Sequence, residues 1–206
     1  MTLEPPTTLL LLRHGETALT PEKRFSGSGA DPALSATGQG QAAAAAELLA
    51  TRRTVHAIVS SPLRRCRETA AAAARRLGLE VGIDADLREA DFGSWEGRTF
   101  AEVGEHYPDQ LRSWLASPNA RPGGTGEPMT AVTRRVSRAR DRVLRRHAGR
   151  TVLVVGHVAP LRTLIRLALA APPETLFRME LAAASLSEVA YHASGNATLR
   201  LLNYTP

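Results

Sequence analysis

The segment Leu9-Leu10-Leu11-Leu12-Arg13-His14-Gly15-Glu16-Thr17 constrains the fold more than any other part of the chain. Four leucines make a run of strand length that halts at a cation, an imidazole and a glycine. An unbroken apolar run reads as a strand buried on both faces, and such strands belong to parallel sheets covered by helices. The glycine frees the backbone to turn away where the strand stops. In open α/β sheets, ligands bind beyond the carboxyl ends of the strands, so Arg13 and His14 stand where a ligand would sit.

The rest of the chain has the rhythm of strand and helix. After a strand at 8–13 and a glycine-rich loop, Ser26-Gly27-Ser28-Gly29, Ser35 is a fitting N-cap for an alanine-rich helix to about Ala50. A second strand is expected at 55–60. Ser61-Pro62 then reads as a helix start, with proline at the first helical position and Gly78 as the stop. A third strand falls near 80–83. This alternation predicts an α/β fold, a three-layer α/β/α sandwich around a mostly parallel sheet. Thr99 and Glu102 form a capping-box pair, and another helix opens at Pro108. Residues 117–127 read as a surface loop rich in Pro and Gly. In the helix expected over 129–148, Val132, Val136, Ala139 and Val143 make one apolar stripe, and the arginines between them read as a solvated face. Thr151 to Val155 is a second buried strand, and it too runs into a glycine and an imidazole, Gly156-His157. Pro160 is expected to open the next helix. The last strands fall at 185–191 and 197–202. Residues 1–7, with Pro5 and Pro6, read as a tail or linker remnant, and 8–206 as one domain.

If the sheet is parallel, the ends after Leu12, Ser60 and Val155 converge. One edge then holds Arg13, His14, Arg65, His157 and the start of a helix. Guanidinium forks match phosphate oxygens in pairs, and helix N-termini favour anions. The pattern is a phosphate cradle with a nucleophile inside it.

Four ordered motifs now resemble the histidine phosphatase superfamily, which includes the cofactor-dependent phosphoglycerate mutases. They are Arg13-His14-Gly15-Glu16-Thr17; Ser60-Ser61-Pro62-Leu63-Arg64-Arg65-Cys66 with Thr69-Ala70; Leu87-Arg88-Glu89 with Gly93-Ser94-Trp95-Glu96-Gly97; and Gly156-His157. The resemblance implies a phosphoglycerate mutase-like fold and phosphoryl chemistry on a histidine. In it His14 is the nucleophile, and Arg13, Arg65 and His157 clamp the non-bridging oxygens. Glu89 is the general acid for the leaving group, then the base for water. Thr17, Thr20, Ser26 and Gly27 are the substrate-binding positions. Thr20 and Ser26 replace the Asn and Gln of many members, Val158-Ala159-Pro160 comes after the second histidine where Gly is frequent, and Gly126-Glu127-Pro128 replaces Gly-Glu-Ser. Within the superfamily the chain is most similar to actinobacterial acid phosphatase and α-ribazole phosphatase-like domains, often fused behind a ribonuclease H domain.

The implied activity is a metal-independent phosphomonoesterase acting on a small phosphorylated metabolite. The alternatives are a phosphoglycerate mutase, which carries a longer segment around the acid, and a non-catalytic phospholigand-binding module, which has no need of the acid. No cofactor and no metal are expected. The chain has 206 residues and a single cysteine, so an intramolecular disulfide is excluded. A cysteine phosphatase is excluded by spacing, since Ala72 stands where its arginine would be. The net charge of +6 comes almost wholly from arginine, yet aromatics are sparse, so direct nucleic-acid binding is not expected. No signal peptide or membrane span is read, because Arg162 and Arg166 interrupt the apolar run near 161–171. A cytoplasmic location is expected, and a homodimer is compatible with the sequence.

Overall fold

The computed structural model describes residues 5–52 and 54–206. Its six-stranded sheet has the order β3-β2-β4-β1-β5-β6. The strands are β1 (Thr7–Arg13), β2 (Ala57–Ser60), β3 (Val81–Ile83), β4 (Thr151–Gly156), β5 (Leu186–Tyr191) and β6 (Ala197–Tyr204). β1, β2, β3 and β4 are parallel, while β5 and β6 are added antiparallel beside β1. The α-helices are α1 (Ala36–Arg52), α2 (Arg64–Leu77), α3 (Phe100–His106), α4 (Pro108–Ala116), α5 (Met129–Arg146) and α6 (Val158–Ala168).

Successive side chains of a strand point to opposite faces, and the two cores divide the buried strands accordingly. Leu9 and Leu11 of β1, with Val152 and Val154 of β4, pack under α5 and α6. Leu10 and Leu12, with Leu153 and Val155, pack under α1 and α2. The expected stripe of α5 is the buried one, with Val132, Val136, Ala139 and Val143 all in the first core. Burying both faces is what an uninterrupted apolar run requires.

This division also locates the cleft. β1 and β4 are neighbours whose ends coincide, Arg13 lying opposite Gly156. The chain leaves β1 for α1 on one face and leaves β4 for α6 on the other. Helices departing to opposite faces from adjacent parallel strands open a crevice between them, the topological switch point. The first turn of α1 lies directly on the Gly15–Glu16 peptide. A Cβ on Gly15 would run into the Gly38 carbonyl, and one on Gly38 into the backbone of Glu16.

Several boundaries differ from expectation. Thr7, read as the end of a tail, is the first residue of β1, opposite Tyr191. α2 begins at Arg64, because Ser61-Pro62-Leu63 is spent on the turn out of β2, where Ser61 faces His157. α6 begins at Val158, two residues before Pro160; a proline so early costs nothing, since first-turn N–H groups have no intrahelical acceptor. Ser35 does cap α1, its Oγ accepting the Gly38 N–H at 3.1 Å. Gly78 closes α2 with φ 67°, a left-handed conformation suited to glycine. The Thr99–Glu102 capping box opens α3.

Candidate active site

His14 extends β1 by one residue. Its N–H donates to the Gly156 carbonyl at 3.0 Å, and its own carbonyl accepts from the Ala184 N–H at 3.1 Å. The main chain of His14 is therefore held from both neighbouring segments. Its Nδ1 lies 2.7 Å from the Gly15 carbonyl, which can only accept, so Nδ1 carries the proton and Nε2 keeps its lone pair. Burial, then the charges of Arg13 and Arg65, holds the ring's pKa well below its ordinary 6.5. A neutral imidazole with a free lone pair is a nucleophile at neutral pH.

His157 lies beneath it, fully buried, with the two ring centroids 5.2 Å apart. Its Nε2 is 2.7 Å from Ser61 Oγ and 3.3 Å from Cys66 Sγ. Burial and the neighbouring His14, Arg65 and Arg13 keep it neutral too. Cys66 is a packed residue of α2 whose thiol is pushed up by burial, which leaves it inert.

The positive charge at the site comes from arginine. Arg65 is fully buried and grips the loop after β1, donating Nη1 to the Ala30 carbonyl at 3.1 Å and Nη2 to the carbonyls of Ser26 and Gly27 at 3.1 and 3.0 Å. Arg13 donates Nη1 to the Leu181 carbonyl at 2.6 Å. The Nε of each is buried without a partner among the described residues. A buried charged donor left unmade is costly, which suits groups reserved for an anion.

Glu89, on the loop after β3, lines the same cavity as His14. Its Oε1 accepts the Ala90 N–H at 2.8 Å and its Oε2 the Ala159 N–H, in the first turn of α6, at 3.4 Å. Burial raises its pKa, partly offset by those two N–H groups and by Arg65 and Arg135. The loop is held by Arg135, the arginine that the sequence pattern assigned to a solvated face. It is buried on α5 and donates to the carbonyls of Asp86, Arg88 and Glu89. Its Nε and Nη2 form a two-pronged pair with Glu127, both at 2.8 Å. The signal was present: Arg135 lies three positions after Val132, so it falls on the apolar stripe.

His14, Glu89, Arg13, Thr17, Thr20 and Ser26 all line one cavity of about 770 Å³. Arg65, His157 and Gly27 do not; they lie behind it. Thr20 Oγ1 accepts the Thr17 N–H at 3.0 Å, and the two hydroxyls are 3.2 Å apart. Ser26 Oγ is buried and has no partner among the described residues. Gly27 gives its N–H to Glu96 at 2.8 Å and its carbonyl to Arg65, so its backbone is already engaged. The helix start expected at the anion site is also engaged: the first N–H of α2, on Arg64, is taken by Asp31 at 2.6 Å. The helix N-termini that reach the cavity are those of α3 at Phe100, α5 at Met129 and α6 at Val158 and Ala159.

Sequence reasoning missed the cavity's far wall. All four phenylalanines of the chain, Phe25, Phe92, Phe100 and Phe177, line it together with Trp114. They come from four separate segments and meet only in the folded chain. It also missed Arg162, although that residue lies four and three positions after the cavity-lining Val158 and Ala159 on α6.

The family model of the histidine phosphatase superfamily, branch 1, matches residues 9–205. A bifunctional protein of Mycobacterium tuberculosis (strain ATCC 25618 / H37Rv) is 50% identical over 200 residues, covering 97% of this chain and 54% of that protein. The chain thus spans about half the length of the mycobacterial relatives it matches. Phosphoserine phosphatase 1 of Hydrogenobacter thermophilus is 34% identical over 193 residues, covering 94% of this chain and 90% of that one. Among solved structures, a mycobacterial glucosyl-3-phosphoglycerate phosphatase in complex with VO3 superposes with a TM-score of 0.87 at 30% identity, covering 97% of this chain and 100% of its own.

Proposed function

Because the chain belongs to the histidine phosphatase superfamily, we propose that it is a phosphatase that hydrolyses a small phosphomonoester through a phosphohistidine at His14, without a metal ion. The observation that carries this reading is the pairing across one cavity of a neutral His14, its Nε2 free, with a Glu89 that burial biases toward its protonated form. In the first step Nε2 bonds to phosphorus as the ester P–O bond breaks, and Glu89 gives its proton to the departing oxygen. In the second a water oxygen bonds to phosphorus, its proton passes to the Glu89 carboxylate, and the P–N bond breaks to release phosphate. Acid and base are thus one residue in two states. Arg13 and Arg65 supply fixed positive charge where the phosphoryl group passes through a loose, charge-dispersed transition state. His157 supports His14 from below, its Nε2 turned to Ser61. Thr17, Thr20 and Ser26 offer hydroxyls to the phosphoryl oxygens, and Gly27 acts through the loop that Arg65 grips. Mixing the protein with 32P-labelled p-nitrophenyl phosphate in EDTA and quenching in alkali should leave label on His14. Label on another residue, or activity lost to EDTA and restored by a divalent ion, would overturn the reading.

A further inference from the structure

Four arginines line the cavity: Arg13 belongs to the phosphoryl chemistry, Arg24 is paired with Glu22 and Glu102, and Arg178 is exposed, which leaves Arg162. Arg162 projects from the second turn of α6 into the cavity wall. The other inward arginines each donate to a backbone carbonyl: Arg13 to Leu181, Arg65 to Ala30, Ser26 and Gly27, Arg135 to Asp86, Arg88 and Glu89, and Arg166 to Ala171. Among the described residues Arg162 finds no hydrogen-bond acceptor, and its Nε is buried without a partner. Burial lowers its pKa, opposed by the charge of Glu89 and then of Glu180. That Nε has given up water without gaining an acceptor from the protein, while the rest of the half-buried side chain borders the cavity.

Its position says which part of a substrate would supply that acceptor. Ala159, one turn earlier on the same face of α6, gives its N–H to Glu89. Glu89 serves the leaving oxygen, so Arg162 stands on the leaving-group side of the phosphorus. The phosphoryl group itself already has Arg13 and Arg65. With Glu89 and Glu180 close by, one guanidinium balances a single negative charge, and its planar fork fits a carboxylate.

Resting on the phosphatase reading, we propose that Arg162 is a specificity-determining residue that receives a carboxylate carried by the leaving group a few bonds from the ester oxygen. The natural substrate class is then the phosphorylated hydroxy acids. The test compares O-phosphoserine and 3-phosphoglycerate with their counterparts lacking the carboxylate, O-phosphoethanolamine and glycerol 3-phosphate, and with p-nitrophenyl phosphate. The wild type should favour the carboxylate member of each pair by ~10–10²-fold in kcat/KM, the span of one charge-assisted bond. Arg162→Met should erase that preference, chiefly through KM, and lose at least ten times more on the acids than on p-nitrophenyl phosphate. Arg162→Lys, which keeps the charge without the fork, should fall between. Equal losses on all substrates, or a wild type with no preference, would overturn the carboxylate site and leave the phosphatase standing. A wild type that fails to turn over p-nitrophenyl phosphate would remove both.

Discussion

The two sides of the cleft are built by different means. The His14 side is the end of a sheet: the register of β1 against β4 sets Arg13 opposite Gly156, and the next ladder bond fixes His14. Backbone hydrogen bonding sets the main chain of the nucleophile, and His157 and Thr69 only support what the sheet has placed. The Glu89 side is loop, and no ladder reaches it. One buried arginine takes its place, holding the carbonyls of Asp86, Arg88 and Glu89 against α5. A site can inherit its precision from secondary structure on one side and from a single side chain on the other. The second side is the more easily broken from a distance.

The largest effect should come from the nucleophile. His14→Ala should reduce turnover of every substrate well beyond ~10³-fold, since no other group can form the intermediate. Substantial residual activity would end the comparison, because the sheet side would then not carry the chemistry. Next is the acid. Glu89→Gln should slow an alkyl phosphate by ~10²–10⁴ and p-nitrophenyl phosphate far less, because its phenolate departs without a proton. Equal losses would show that Glu89 positions the phosphate and donates nothing. Third is the grip on the loop. Arg135→Met leaves Glu127 without its partner and frees three carbonyls, a change expected to cost about 3 kcal/mol or more of stability. In the protein that remains folded, kcat on the alkyl phosphate should drop ~10-fold or more, with a smaller effect on p-nitrophenyl phosphate. A variant that loses stability but keeps the wild-type ratio between the two substrates would make Arg135 merely structural.

The smallest effect is on stability, and it has opposite signs on the two sides. His14 and His157 are held neutral in the fold below their ordinary 6.5. As pH falls below 6.5 the unfolded chain takes up protons that the native chain refuses, so stability declines by at most about 1.4 kcal/mol per pH unit for each histidine. Glu89 keeps its proton above the ordinary 4.5, so between 4.5 and its raised value its contribution declines as pH rises. Thermal melts across pH should show a shallower acid limb in His157→Gln and a shallower decline on raising the pH in Glu89→Gln. Profiles identical to the wild type would mean that neither side titrates with a shifted pKa.

The same asymmetry explains what could be read from the sequence. The sheet side was legible because local rules wrote it: an apolar run needs two covered faces, and the residues after it fall at the switch point. Gly78, the Thr99–Glu102 box and the stripe of α5 obey equally local rules. Arg135 was misread because composition sees a charge on a basic helix, whereas the fold sees acceptors 47 and 49 positions away. Arg162 and the aromatic wall were invisible for a related reason, since a cavity is defined by segments that only tertiary packing brings together. The start of α2 was misplaced because Pro62 fits a helix N-terminus and a turn equally well, and only the demand of His157 for Ser61 decides between them.

The contact between Gly15 and Gly38 sets a limit on redesign. The walls that shape substrate choice, from Phe100 and Trp114 to the stretch 176–181, belong to loops and short helices that a designer can exchange without touching the sheet. Neither glycine meets the cavity, yet α1 is seated against the backbone beside the nucleophile, with no room for even a methyl group on either partner. New specificities can therefore be grafted onto the open side of this scaffold, while the face under α1 has to be carried over unaltered.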